Sequence, residues 1–393
     1  MNRKNIYLFY AIALFQGMVF YGPIATLYRQ SRGLGIFQIT LIESISLVLC
    51  LVLEIPWGFV ADKIGYKKTL VICNLLYFVS KIVFWKADGF GMFLLERLML
   101  SVVISGLSGC DSAFLYVSAG EEAAPKVFGI YSAMGTAGLL TASAVFSVFL
   151  HGDYALSALL TVFSYGISLV LIMFSTEVEN SVENTKTFRS QITDLFVALK
   201  EGKSFWLFLI GAALLAECNQ TITNFLNQLQ YVRGGIKPEW MGYIYILVIA
   251  AGLLAAHAHK LVEKMGENRA LIALFLVGGG ACLLMAFFAN PILSIGCMVL
   301  LRISSSLFEP IQMNIQNRGI ATANRATMLS VYAIVMDLVA VGTNLAFGKA
   351  ADSGVDHAML LGAGFCFAGL LLYCIWQRGE SRKSAQKVEL QTD

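Results

Sequence analysis

The chain has 393 residues, of which 58% are hydrophobic and 13% are charged, and its mean hydropathy is +0.72. Soluble proteins carry about 25% charged residues, so this composition excludes an ordinary soluble enzyme and a disordered chain. The net charge of +3 comes without a long basic cluster, which argues against a nucleic-acid partner. At about 20 residues per membrane span, the chain has room for about twelve spans and no sizeable soluble domain.

Twelve apolar stretches predict an all-α membrane protein with twelve transmembrane helices. The first stretch follows Arg3 and Lys4 and stays uncharged from Asn5 to Tyr28, which is too long for the apolar region of a signal peptide. It therefore predicts a retained span. The predicted spans are residues 5–28, 38–61, 68–86, 90–117, 127–150, 154–176, 204–230, 239–259, 268–289, 291–317, 325–348 and 357–377.

The distribution of Lys and Arg predicts the orientation. If the N-terminus is cytoplasmic, the cytoplasmic segments hold 19 of these residues and the outer loops hold 6. Positive residues accumulate on the cytoplasmic side, so we expect both termini there, in a multi-pass protein of the cell membrane, or of the inner membrane in a bacterium. The six outer residues are Arg29, Arg32, Lys86, Arg233, Lys237 and Lys349.

The longest polar connection predicts how the chain is divided. Residues 177–203 are expected to be a cytoplasmic linker, with a possible surface helix at Phe188–Lys200. The linker separates an N-terminal half of six spans, 1–176, from a C-terminal half of six spans, 204–377. A cytoplasmic tail follows at 378–393.

A weak internal repeat relates the two halves. The segment Gly58–Lys68 after span two and the segment His259–Arg269 after span eight share an acid, a base, a glycine and a later base. Two parallel six-span halves around a site at mid-membrane depth are a transporter architecture.

The loop after span two also carries a motif of a known family. Its residues follow the pattern G-x-x-x-D-[RK]-x-G-[RK]-[RK], although Tyr66 stands where a basic residue is usual. On this motif the chain resembles the major facilitator superfamily. The segments Glu54–Gly58 and Arg325–Ser330, together with Arg97 on span four, are similar to bacterial drug-efflux-like members. The motif residues are Gly58, Asp62, Lys63, Gly65, Lys67 and Lys68.

The resemblance implies two six-helix halves that alternate access to a shared site, with the motif loop as a gate. A carboxylate at Asp62 can face the N-terminus of a neighbouring helix and basic partners, and so hold one side closed. Gly58 and Gly65 allow close backbone approach and a tight turn. For Lys67 and Lys68, a solvated loop explains the charges equally well.

Span five departs from the pattern of drug antiporters in this superfamily. Those proteins often carry a G-P-x-x-G-G element there. Here the span has Gly129, Gly135 and Gly138 but no Gly-Pro pair. The departure leaves the direction of transport open.

Acidic residues inside spans are the candidates for proton coupling. A charge at membrane depth is costly and usually has a function. Glu217 lies near the middle of span seven and Asp337 near the middle of span eleven, where each can bind a cationic substrate or carry a proton. A hydrogen bond between helices explains Asp337 equally well. Asp111 and Glu54 are further candidates for a proton relay.

Polar residues inside spans are the candidates for a substrate cavity. Those of span seven recur at spacings of 3, 4 and 7, which places them on one helical face with Glu217, and a polar face cannot contact lipid. Arg97 either binds an anionic group or pairs with Glu43, Glu96 or Asp111. The cavity candidates are Gln16, Arg97, Gln220, Asn224, Asn227, Gln228, Glu309 and Gln312.

The leading hypothesis is a monomeric secondary transporter that exports a small organic compound, coupled to protons. The chain has no phosphate-binding loop and no hydrolase spacing, so we expect neither an enzyme nor a cofactor. The eight cysteines lie in apolar runs and are interpreted as packing residues, with no metal site.

The aromatic and carboxylate content favours an amphipathic or cationic substrate. The alternatives are a narrow-specificity metabolite carrier working in either direction and a non-transporting membrane sensor.

Overall fold

The structure, a computed structural model, describes residues 2–178, 205–318, 320 and 325–392, and their side chains except at 55, 58–63, 325–327 and 383–392. Within these residues the regular structure is helical. Twelve helical segments of this part of the chain are long and apolar enough to cross a membrane. The predicted all-α class and the predicted number of spans are therefore confirmed. The surface helix expected at Phe188–Lys200 lies outside the described residues.

We number the twelve segments α1 to α12 in chain order. The helix of α2 continues to Ile64, and that of α12 continues to Thr392. The segments are α1 Arg3–Ser31, α2 Ile36–Glu54, α3 Tyr66–Lys86, α4 Gly89–Ala119, α5 Ala124–Leu150, α6 Tyr154–Met173, α7 Trp206–Arg233, α8 Pro238–Met265, α9 Glu267–Phe287, α10 Pro291–Arg318, α11 Met328–Ser353 and α12 Val355–Arg382.

Two segments of the first half are interrupted. In α1 the regular helix ends at Gly17 and resumes at Ala25, after a short 3-10 turn that contains Pro23. Proline has no backbone N–H to donate, which favours a break at this point. In α4 the break is at Gly109, whose φ of 83° is a conformation that glycine adopts without steric cost.

The chain forms two compact units. The first comprises Met1–Thr185 with Ile236–Ile246, and the second comprises Lys186–Gly235 with Leu247–Asp393. In the first unit α1 packs on α5 and α6, while α3 packs on α4 and α6. In the second unit α7 packs on α11 and α12, while α9 packs on α10 and α12. The same helix pairs thus recur six spans later, which is what the predicted duplication requires.

Glycines bring α1 and α5 into backbone contact. A Cβ atom added at Gly138 would collide with the carbonyl oxygen of Leu14, and one added at Gly17 would collide with the carbonyl oxygen of Gly135. Small residues allow membrane helices to approach closely where van der Waals packing holds them together. This close packing explains Gly135 and Gly138 of the fifth span, whereas nothing lies within 4 Å of a Cβ atom added at Gly129.

Candidate functional site

The first unit has an open cavity of about 450 Å³ that is lined by α1, α3, α5 and α6. Its wall carries the rings of Tyr77, Tyr131 and Tyr165 and the amide of Gln16. The hydroxyl groups of Ser132 and Thr136 add further polarity, and the other lining residues are apolar or glycine. A concave, largely apolar site with a few polar groups is typical of small-molecule binding.

Hydrogen bonds fix the polar wall of this cavity. The Gln16 side-chain amide donates to Asn74 Oδ1 over 2.8 Å, and the Tyr165 hydroxyl donates to the backbone carbonyl oxygen of Gln16 over 2.9 Å. Asn74 Oδ1 also accepts from the Ser168 hydroxyl at 3.3 Å. Gln16 is thus the one predicted cavity residue that lines this cavity.

Five charged side chains form a buried cluster in the same unit. Arg29 of α1 lies 3.6 Å from Glu43 of α2 and 4.0 Å from Glu96 of α4. Arg97 pairs closely with Glu43, while Lys81 of α3 lies 3.7 Å from Glu96. Arg29, Glu43, Lys81 and Glu96 are each at most 6% exposed, and the Arg97 side chain is 25% exposed. We call this set the charge cluster.

Lys81 is surrounded by tyrosines. Its ammonium group donates to the Tyr21 hydroxyl over 3.1 Å. It also lies over the rings of Tyr77 and Tyr165, at 5.4 and 5.2 Å from their centroids, where the ring face attracts a cation. These two tyrosines line the cavity as well, so they form a layer between the cavity and Lys81.

Sequence reasoning missed two members of the charge cluster. Arg29 was assigned to an outer loop, but it lies in the helix Ala25–Ser31 and is buried. That assignment was wrong because the helix resumes after the break at Pro23. Lys81 was overlooked, although a lone lysine inside an apolar span is itself a signal. For Arg97, the structure selects Glu43 among the three acids that the sequence offered.

Two of the proposed proton carriers interact electrostatically in the second unit. Glu217 of α7 and Asp337 of α11 are half-buried, and their carboxyl groups interact by electrostatic repulsion. Among the described residues, Glu217 has no ion-pair partner. Such repulsion is relieved when one carboxylate takes up a proton.

The polar face predicted on α7 is not continuous. A π-helical turn at Ile222–Leu226 adds a residue to one turn of the helix and rotates the remaining turns about the helix axis. As a result Gln220 is exposed and Asn224 is half-buried, whereas Asn227 and Gln228 are buried. The single face expected from a 3.6-residue period was therefore wrong.

The remaining candidates lie apart from the cavity of the first unit. Asp111 accepts a hydrogen bond from the backbone N–H of Ser112 over 2.7 Å, and Glu54 is exposed. In the second unit, the Gln312 amide contacts Met336 Sδ at 3.2 Å, while Glu309 is exposed.

The motif loop joins α2 to α3 through Gly65, which has a φ of 88°. Its partner is a residue that sequence reasoning left unassigned: Glu177 Oε1 accepts from the backbone N–H of Lys67 over 3.0 Å, at the start of α3. A carboxylate at a helix N-terminus is stabilised by the helix dipole. Lys68 is exposed. Gly58 lies in the helix that continues to Ile64, and the side chains of Asp62 and Lys63 lie outside the described part of the chain.

Three cysteines from distant parts of the sequence meet in the second unit. The sulfur atoms of Cys218, Cys282 and Cys366 all lie within 4.8 Å of one another and are buried. The Cys218 thiol also contacts the carbonyl oxygen of Gly362 at 3.4 Å. The arrangement fits small apolar side chains at a helix contact, and equally a three-sulfur ligand set for a thiophilic metal ion. The expectation of no metal site remains a prediction.

The sequence pattern of the Major Facilitator Superfamily matches residues 6–343, so the chain belongs to this superfamily of membrane transporters. Its members carry solutes across membranes, and the chain is accordingly a multi-pass transporter and not an enzyme. No curated protein matches it in sequence.

Solved structures show the same fold at low identity. The nucleoside transporter NupG superposes with a TM-score of 0.79 at 16% identity, over 95% of this chain and 99% of that one. A bacterial homologue of the human lysosomal transporter Spinster gives 0.75 at 14% identity, over 96% and 98%. A POT family transporter in complex with 5-aminolevulinic acid gives 0.72 at 16% identity, over 94% and 95%.

Proposed function

We propose that this protein is a proton-coupled secondary transporter that exports a small organic solute across the cell membrane and works as a monomer. The observation that carries the proposal is the pair of carboxyl groups at Glu217 and Asp337. They belong to two spans of the second unit, where each carboxyl group is within electrostatic range of the other. A pair that alternately binds and releases a proton can couple solute movement to the proton gradient.

The proposed direction depends on the motif segments. Glu54–Gly58 and Arg325–Ser330 resemble drug-efflux-like members of the superfamily. Two features support the motif loop as a gate: Gly65 makes the turn, and Glu177 accepts a hydrogen bond from the backbone N–H of Lys67 at the start of α3. Cytoplasmic termini complete the proposal, in line with the excess of Lys and Arg on that side.

Proton release from everted membrane vesicles tests the proposal. Addition of a transported solute to energised vesicles should release protons from the vesicle interior, which a pH-sensitive dye reports. In Glu217→Gln the release should fall to the background of empty vesicles, because the amide cannot exchange a proton. Asp337→Asn should lower the release as well.

A matched control separates coupling from damage to the fold. Glu263→Gln removes an exposed carboxylate from the same unit and should leave proton release unchanged. If Glu217→Gln transports with an undiminished proton signal, the carboxyl pair does not carry the coupling proton. Solute uptake without any proton signal in the unmodified protein would overturn proton coupling altogether.

A narrow-specificity metabolite carrier is the second candidate. The observation in its favour is the cavity of the first unit, whose Gln16 amide and Tyr165 hydroxyl are both held by hydrogen bonds. The structurally similar NupG is a nucleoside transporter. Competition assays decide between the two: inhibition by a few related compounds supports the metabolite carrier, and inhibition by many unrelated compounds supports broad export.

A further inference from the structure

The charge cluster of the first unit is not balanced. Arg29, Lys81 and Arg97 are cations, whereas Glu43 and Glu96 are the only acids paired with them among the described residues. With every group ionised, one positive charge is left over. An uncompensated charge at membrane depth is costly, and such charges commonly mark a place where a ligand supplies the balance.

Lys81 is the member of the cluster that lies beside the cavity. Glu96 is its partner on the side of the cluster, at 3.7 Å. On the other side it meets the rings of Tyr77 and Tyr165, and both rings line the cavity. The two rings pack edge to face, with centroids 4.9 Å apart. A rotation of one ring would bring a bound solute within reach of the ammonium group.

The chemistry of the cavity wall limits further which class of solute can bind there. The lining contains no charged side chain, so the attraction for an ion must come from behind the wall. Three tyrosine rings provide surfaces for a planar or aromatic group. Asp111 interacts electrostatically with Tyr131, a lining residue, but does not itself line the cavity.

We propose that this cavity binds an aromatic or planar organic carboxylate, whose single negative charge balances the excess positive charge of the cluster through Lys81. A monoanion fits the excess of one charge better than a phosphate monoester, which carries about two negative charges at neutral pH. This inference depends on the proposed function in one respect, since it names the substrate class of the same transporter. It replaces the cationic or amphipathic substrate that the composition favoured.

Equilibrium binding to the purified full-length protein in lipid nanodiscs tests this inference. The probes are 3-phenylpropionate, its neutral amide 3-phenylpropionamide and the cation 3-phenylpropylamine, which share one ring and similar length. A charge-assisted contact should make the carboxylate bind about tenfold more tightly than the amide. The amine should bind most weakly.

The variant Lys81→Gln identifies the cation responsible. It leaves two cations and two carboxylates in the cluster, so no unbalanced charge remains and the protein should still fold. In this variant the carboxylate and the amide should bind equally, while binding of the amide should stay unchanged. Lys86→Gln is the matched control, because it removes an exposed lysine from the end of the same helix.

Three results of a measurement in which the probes bind would overturn the inference. They are equal binding of carboxylate and amide by the unmodified protein, an unchanged preference in Lys81→Gln, and tightest binding of the amine, which would point to Asp111 instead. Absence of binding by all three probes would also count against it. The comparison of the carboxylate with the amide uses the unmodified protein. The inference therefore remains testable even if the Lys81→Gln variant misfolds. Because binding is measured without a proton gradient, its failure is distinguishable from failure of proton coupling at Glu217.

Discussion

Glu43 holds two arginines of the charge cluster. Its carboxylate lies 3.6 Å from Arg29 and pairs closely with Arg97, while the residue is only 4% exposed. A buried carboxylate of this kind compensates charges that the surrounding membrane cannot solvate. Removal of one partner from a buried ion pair leaves the other charge uncompensated, at a cost of about 3–5 kcal/mol.

The substitution Glu43→Gln should therefore lower the stability of the protein by about 3–5 kcal/mol, because the charge excess of the cluster rises from one to two. The double variant with Glu43→Gln and Arg97→Gln should recover part of the loss, since it restores the original excess. Thermal unfolding in detergent measures both effects. Glu122→Gln, in the exposed turn before α5, is the control. If Glu43→Gln unfolds at the same temperature as this control, the ion pairs contribute nothing to stability.

Residues of the cluster could be predicted only in part. Arg97 and its three acidic candidates were visible because they lie in apolar stretches. Which acid pairs with Arg97, however, depends on how α2 meets α4, and no local pattern contains that contact. Lys81 faces Glu96 in the same way. Its presence in a span was readable from the sequence, but two of the three tyrosines around it come from other helices, α1 and α6.

At the scale of single helices, α7 shows why residue spacing alone does not always predict which side chains share a helical face. A regular helix places residues 217, 220, 224 and 228 on one face. The π-helical turn at Ile222–Leu226 breaks this relation, and such turns have no simple sequence signature. The turn also leaves Thr221 buried, where its hydroxyl donates to Asn344 Oδ1 of α11 over 2.9 Å. Polar residues of this span thus serve helix contacts as well as the carboxyl pair.

The glycine contact between α1 and α5 gives a prediction at the same scale. Gly138→Ala places a methyl group against the carbonyl oxygen of Leu14. This oxygen belongs to the backbone of a helix, so it cannot rotate away as a side chain could. Overpacking of this kind costs about 1–3 kcal/mol. The variant should unfold at a lower temperature in detergent and should lose binding of any probe that occupies the cavity between these helices.

Gly129→Ala on the same helix is the matched control. Nothing lies within 4 Å of a Cβ atom added there, and alanine is the better helix former. It should leave the unfolding temperature unchanged or raise it slightly. If both variants behave alike, the close approach of α1 and α5 is not important for stability.

At the scale of the whole molecule, the sequence predicted the number and order of the spans because the membrane itself sets their length. Predicted ends such as 239–259 for α8 differ from the structure, which extends this segment to Met265, because helices continue beyond the apolar region. The weak repeat between Gly58–Lys68 and His259–Arg269 reappears as recurring helix pairs in the two units. Of the cavity wall only Gln16 was predicted, since the wall combines residues from four spans.

The orientation of the chain is the last prediction, and it follows from the Lys and Arg distribution. Removing the buried Arg29 from the outer residues strengthens the asymmetry, so both termini should be cytoplasmic. The test uses a variant whose native cysteines are replaced and into which one cysteine is introduced at an exposed position. Lys237→Cys places it between α7 and α8, and Arg382→Cys places it at the end of α12. A membrane-impermeant maleimide added to intact cells should label the first, and only everted vesicles should expose the second. Labelling of Arg382→Cys in intact cells would place the C-terminus outside and reverse the proposed direction of the gate.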